Sequence, residues 1–391
     1  MAPPISTEKF VNWITGQPIA LYDAAGSVFN ASGPTSSRGL VPDPGPTPGS
    51  PLRFLREDST WAQATSNPFS NAALPYFYPQ GRLTLSTTEV VMTTSYAAAS
   101  SIYYYPYVGS TIPYYDGSAL WNLYNMGNAP LATFVLDGNS GHTGYHQVGK
   151  IFDVYFDYNA GSGRLVTSPA WTSDSARSNA IARAFGIWVN NASITCRFGT
   201  GSGDTASFAA GTLTYLGSFY CLADGQTGFI YGGAAVGGSP CYFALWNCYN
   251  RGYISGGSYE STDSWTVSSV TPAPFNGSTS NANFFLVGLV EDSINVWAGA
   301  FGAQSAVQYM WAGIGLNSTS TTWAPGSIRN PSTTQIAEAG AIWSFGSGVP
   351  TLGWNYTQLL QAFAGAGSNT MYGDNGDPTR QQSGIITGIF T

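Results

Sequence analysis

Between Gly33 and Pro51 the chain crowds Pro34, Pro42, Pro44, Pro46, Pro48 and Pro51 among Gly33, Gly39, Gly45 and Gly49. Proline fixes φ and lacks a backbone donor, and glycine loses the most freedom on ordering, so neither supports a helix interior or a central strand. Such a run cannot assemble a core and reads as an extended, semi-rigid arm over residues 1–65. Any core must therefore be built by residues 66–391. Near the start of the arm, residues 7–14 form a short amphipathic piece suited to docking on a partner.

After the arm the pattern is β. In Ser101-Ile102-Tyr103-Tyr104-Tyr105-Pro106-Tyr107, Ile102 and Tyr104 share one strand face and Tyr103, Tyr105 and Tyr107 the other. Apolar groups on both faces suggest a strand covered on both sides, by a second sheet or a neighbouring subunit. Further strands are expected at 82–85, 131–136, 150–157, 192–198 and 213–221. The spacing of Ala176, Ala180, Ile181, Ala184 and Phe185 predicts one helix, over 176–188, with Ser173 or Asp174 as its cap. Glycine-rich stretches at 199–211 and 225–238 read as loops or loose hairpin arms. From 251 onward a second β unit is expected. Its strands are 284–290, paired with 294–301 across a turn at Glu291-Asp292-Ser293, then 306–315, 340–345 and 384–390. Residues 354–366 read as a helix or an extended loop. Trp246, Tyr249 and Arg251 are placed at the junction. The expected fold is all-β: the arm (1–65), a β-body with one short helix (66–250) and an outer β-sandwich (251–391), with no tandem repeat.

Charged residues make up 8% of the chain, against a usual share of about 25%. Lys9 and Lys150 are its two lysines. Solubility must then rest on Ser, Thr, Asn and Gln, or much of the surface must be hidden in an assembly. A net charge of −7 without a basic cluster argues against nucleic acid as a partner. The first residues lack the basic start and apolar run of a secretory signal, and no apolar stretch approaches the roughly 20 residues that span a bilayer. The chain is therefore expected neither to enter a secretory route by itself nor to insert in a membrane. Cys196, Cys221, Cys241 and Cys248 lack paired metal-ligand spacing, so no metal and no cofactor is expected. Free buried thiols and a late-formed disulfide both remain open for them.

Catalytic groups are sparse. Glycoside hydrolysis needs two carboxylates about one bond, but Glu291-Asp292 and Asp374/Asp377 sit in turn-like sequence where backbone geometry explains acidic residues. His142 and His146 are the only histidines and lie in a Gly-rich loop, where solvated side chains are expected. No catalytic residue is assigned. Trp and Tyr beside Asn and Asp offer flat apolar faces with polar rims, which suits a sugar. Trp323, Tyr372, Asp374 and Asn375 are the candidate receptor contacts.

The stretch Gly39-Leu40-Val41-Pro42-Asp43-Pro44-Gly45, followed by Arg53-Phe54-Leu55-Arg56-Glu57-Asp58-Ser59-Thr60-Trp61-Ala62, resembles a "GLVPxPG…RFLRxDGTWA" arm. That arm is common in the fibre and spike proteins of tailed bacteriophages. Ser59 stands where glycine is usual, and the resemblance covers residues 39–62 only. It implies a virion component, assembled in the host cytoplasm, held to other virion proteins near its N-terminus and commonly a homotrimer. Phe10, Trp13, Ile14, Phe54, Leu55 and Trp61 are the expected anchoring residues. The low charge and the two-faced aromatic strand add to the expectation of self-association. The function expected is a tail fibre, tail spike or head fibre that meets a glycan or protein on the host surface. Two alternatives stay open: a purely structural capsid or tail decoration protein, and a surface-polysaccharide depolymerase using carboxylates such as Glu291 or Asp374.

Overall fold

The computed structural model describes residues 78–391, except 118–120, 305–308, 324–326, 331–339 and 365–368, together with the backbone of a few strands outside that set. The chain divides into two units, Met1–Leu74 and Pro75–Thr391. In the first, Phe10–Val11 pairs antiparallel with Pro18–Ile19, and Arg53–Leu55 pairs with Trp61–Gln63 so that Leu55 faces Trp61 in register. Of the expected anchoring residues, Trp13 and Ile14 lie outside the described residues. So do the side chains of Phe10, Phe54, Leu55 and Trp61.

The second unit is built from strands. Those expected near 82, 131, 150, 192 and 213 are found at Gly81–Thr84, Leu131–Val135, Ile151–Asn159, Ile194–Arg197 and Thr214–Tyr220. An eight-stranded sheet centres on Ile151–Asn159, flanked by Thr214–Tyr220 and Ser162–Thr167. One of its faces is covered by a three-stranded sheet in which Ser101–Pro106 runs between Leu131–Val135 and Gly81–Thr84. Ile102 and Tyr104 are fully enclosed there, whereas Tyr103 and Tyr105 are half-buried and Tyr107 is exposed. The strand is thus deeply covered on one face only.

The remaining strands form a sandwich. Its seven-stranded sheet holds Gly353–Ala364 between Ala282–Val287 and Tyr309–Leu316. Its eight-stranded sheet holds Ile294–Gln304 between Gly340–Gly348 and Ser383–Phe390. Polar groups cross the interior: the Thr357 and Thr387 hydroxyls are 2.6 Å apart, and the Asn283 amide donates to the Ile385 carbonyl at 2.9 Å. A buried amide that lost such a partner would carry a desolvation cost, so these bonds fix how the two sheets align.

Four sequence expectations are corrected. The boundary at 250 does not exist as a structural division: Cys241–Phe243 runs parallel to Ala282–Val287, and Gly232–Ala235 runs parallel to Tyr253–Glu260. One apolar core runs from Leu83 to Ile389, across the expected boundary. The helix over 176–188 is a hairpin instead, Ile181–Ala184 against Ile187–Asn190. Phe185 and Gly186 turn it with φ of 50° and 85°, the left-handed pair that matches strand twist. The segment expected as a helix or loop from 354 is a strand, Gly353–Ala364, with Thr357, Leu359, Gln361 and Phe363 buried on its inner side. Finally, 282–287 and 294–304 are not a hairpin; they lie in different sheets, and the segment between them turns the sandwich corner. Arg251 pins that corner through Glu291 (2.9 Å) and Asp292 (2.9 Å), with its guanidinium 5.1 Å from the Trp246 ring centre.

Candidate interaction surface

The strand Ile294–Gln304 alternates without a break. Ile294, Val296, Ala298, Ala300 and Gln304 are buried, while Asn295, Trp297, Gly299, Phe301 and Ala303 point outward. Gly340–Gly348 turns Ala341, Trp343, Phe345 and Ser347 to the same side. Register arranges these into rows. Trp297 lies between Phe345 and Ile386, Gly299 between Trp343 and Gly384, and Phe301 between Ala341 and Tyr372. At the far end Tyr253 opposes Phe390, with ring centres 5.3 Å apart. Trp297 is 58% exposed, Trp343 47% and Tyr253 50%. The Trp297 and Phe345 rings touch at 4.5 Å and tilt by 50°, so one face of the indole stays open. Among the described residues, the outward positions of these five strands carry no charged side chain. Single exposed apolar groups are ordinary on a protein surface, but a contiguous field of them marks an interaction site.

The outer side of the seven-stranded sheet makes the contrast. Tyr242, Phe284 and Tyr356 stand in register on three neighbouring strands, and Trp354 stacks on Tyr220 at 3.9 Å and 2°. Tyr242 and Phe284 are likewise parallel, at 5.0 Å and 8°. These rings use one another's faces, so that ladder is satisfied within the chain.

The receptor candidates separate on this framework. Tyr372 is half-buried and joins the open aromatic face beside Phe301. Asn375 is exposed at φ 50° in the following turn. The Asp374 carboxylate is buried and accepts the Gly376 N–H at 3.0 Å, which closes that turn. The Trp323 ring lies against Gly348 and packs on the core. Trp297, Trp343, Phe345 and Ile386 were missed by sequence reasoning; the strict alternation from 294 to 304 was available to find Trp297, whereas the other three join it only through strand register.

Other polar groups are absorbed by the fold. Glu291 pairs with Arg183 at 3.3 Å as well as with Arg251, and Asp377 pairs with Arg380 at 3.3 Å. The loop histidines are not both solvated, contrary to expectation. His146 is fully buried, accepting the Asp137 N–H at Nδ1 (2.8 Å) and placing Nε2 2.9 Å from the Thr167 hydroxyl. His142 contacts the Asp137 carboxylate at 3.0 Å, on the same oxygen that meets Arg197. Among the described residues no three metal-binding side chains converge. The cysteines are all buried and free, and burial pushes each thiol well above its usual range. Native protein is therefore expected to resist iodoacetamide at pH 8 and to label at all four thiols once unfolded, as mass spectrometry would read. Rapid labelling of the native chain would contradict the burial.

No protein family matches the chain, and no curated protein matches it. Among solved structures, an insecticidal delta-endotoxin from Bacillus thuringiensis is similar at 9% identity with a TM-score of 0.18. The match covers 80% of this chain and 51% of the toxin chain, so this protein spans about half the length of that structure.

Proposed function

We propose that this protein is a fibre or spike subunit of a tailed-phage particle and attaches the particle to its host. The observation that carries the reading is the Gly39–Ala62 arm, placed ahead of an all-β unit. In this reading the arm holds other virion proteins and the body faces outward as a homotrimer. Host glycan is the contact, with Asn375 exposed and Tyr372 half-buried among the candidate set. No catalytic role is assigned, because Glu291 and Asp374 are engaged in ion pairs and a turn.

A cryo-EM map of the intact particle tests this. Threefold projections with the arm buried and residues 253–390 outward are expected. A flat lattice over the capsid would replace attachment by decoration, and absence from the particle would sink both. Purified full-length protein is also expected to bind host cells. Release of sugar from host polysaccharide would instead support the depolymerase.

A further inference from the structure

From the open face of the eight-stranded sheet, centred on Trp297, Gly299, Trp343 and Phe345, we infer that a second copy of this chain covers it. The inference rests on the attachment reading only for the number of copies; the surface itself is argued from geometry.

Three features point to self-association. Among the described residues the face carries no charge, so two copies can bring it together without stranding an ion away from water, whereas a charged partner would find nothing in these rows to neutralise it. Its size is substantial. With Trp297 58% and Trp343 47% exposed, and Tyr253, Phe390 and Ile386 beside them, these five side chains alone offer about 500 Å², the greater part of the roughly 800 Å² that each partner gives a standard interface. Lastly, the face has relief. A Cβ on Gly299 would meet nothing within 4 Å, so an open notch lies between Trp297 and Phe301 along the strand and before Trp343 across it. Exposed indoles beside an open notch give one surface both the knob and the socket, as association of identical chains requires. A sugar fits less well. Its hydroxyls need a rim of carboxylates, amides or guanidinium groups, and among the described side chains of these strands Asn295 supplies the outward amide.

Light scattering on the full-length protein tests the inference. The unaltered chain is expected at two or three times the single-chain mass. The double substitution Trp297→Glu with Trp343→Glu should reduce it to one chain, with the β-sheet circular dichroism retained, since both side chains are exposed. If the double variant fails to fold, hydroxyl-radical footprinting of the unaltered chain decides instead. Trp297 and Trp343 should be protected at high concentration and oxidised on dilution to single chains. A single-chain mass for the unaltered protein overturns the inference, whether a glycan or residues 1–74 then meet the face. So does a multimer that survives the double substitution, or one that leaves both indoles reactive. Host-cell binding by a chain of single-copy mass would remove this interface and the homotrimer while leaving host attachment itself standing.

Discussion

Replacing Arg177 by methionine is expected to lower the stability of the fold by about 3–5 kcal/mol at pH 7, the range seen when one partner of a buried ion pair is lost. Arg177 lies between two aromatic rings, its guanidinium 4.5 Å from the Trp171 centre and 5.2 Å from that of Tyr215. Its Nε donates to Asp153 at 3.0 Å, and its remaining donors reach the Tyr215 hydroxyl and the Gly288 carbonyl. One side chain therefore ties the loop after Trp171 to the central sheet and to the segment that leaves Ala282–Val287. Methionine restores much of the volume but strands the Asp153 carboxylate, which has the Ser218 hydroxyl at 2.7 Å as its other partner. Burial already pushes Asp153 above its ordinary pKa, and Arg177 and Ser218 oppose that push. Without the arginine the carboxyl rises further, so folded variant binds a proton that unfolded variant releases. Its deficit relative to the unaltered protein should accordingly shrink as pH falls from 7 toward 4. Denaturant unfolding at the two pH values reads both effects. A loss below about 1 kcal/mol at pH 7, or a deficit that grows on acidification, would show that the pair does not hold the sheets as argued.

The contrast between what could and could not be read ahead lies in where each residue finds its partners. Ile151–Asn159 and Ile294–Gln304 carry their own signal, because a strand in a covered sheet must place apolar groups at period two or in an unbroken run. The 181–190 hairpin was hidden since Ala180, Ile181 and Ala184 also satisfy a helical period; Phe185-Gly186 in the left-handed region settles the choice. Crossings between sheets were invisible for a different reason. Nothing local to Phe284 or Val296 says that their strands belong to opposite layers, or that Cys241–Phe243 lies beside Ala282–Val287. Long-range pairing of that kind is decided by what covers each face, and a single strand does not record it. The interaction face shows the same limit: alternation makes Trp297 and Phe301 outward, but only register brings Trp343 and Tyr372 beside them.

Acidification from pH 6.5 to 4 is expected to remove about 3 kcal/mol of stability through His146 alone. The ring is enclosed by Phe134, Phe152 and Phe219. Its pKa is lowered to about 4, first by burial and then by the Arg197 guanidinium, with the Asp137 carboxylate opposing. Geometry points the same way. Nδ1 accepts the Asp137 backbone N–H, so the proton sits on Nε2 toward Thr167, and a second proton at Nδ1 would have to break the Asp137 bond. In the unfolded chain the same imidazole titrates near 6.5. Between about pH 6.5 and 4 the unfolded state therefore binds the extra proton and the folded state does not, so stability falls as pH falls across that window. Arg197 cannot move aside to relieve the charge. It is held by Asp137 at 3.0 Å and by the carbonyls of Thr143, Gly199 and Gly201 at 2.7–3.1 Å. His146→Gln, which keeps one acceptor and one donor without titrating, should lose stability at pH 7 but show a pH 7-to-4 decline smaller by about 3 kcal/mol. Proton NMR of the imidazole provides the independent check: a midpoint close to 6.5 in folded protein would contradict the burial argument, and one near 4 would support it.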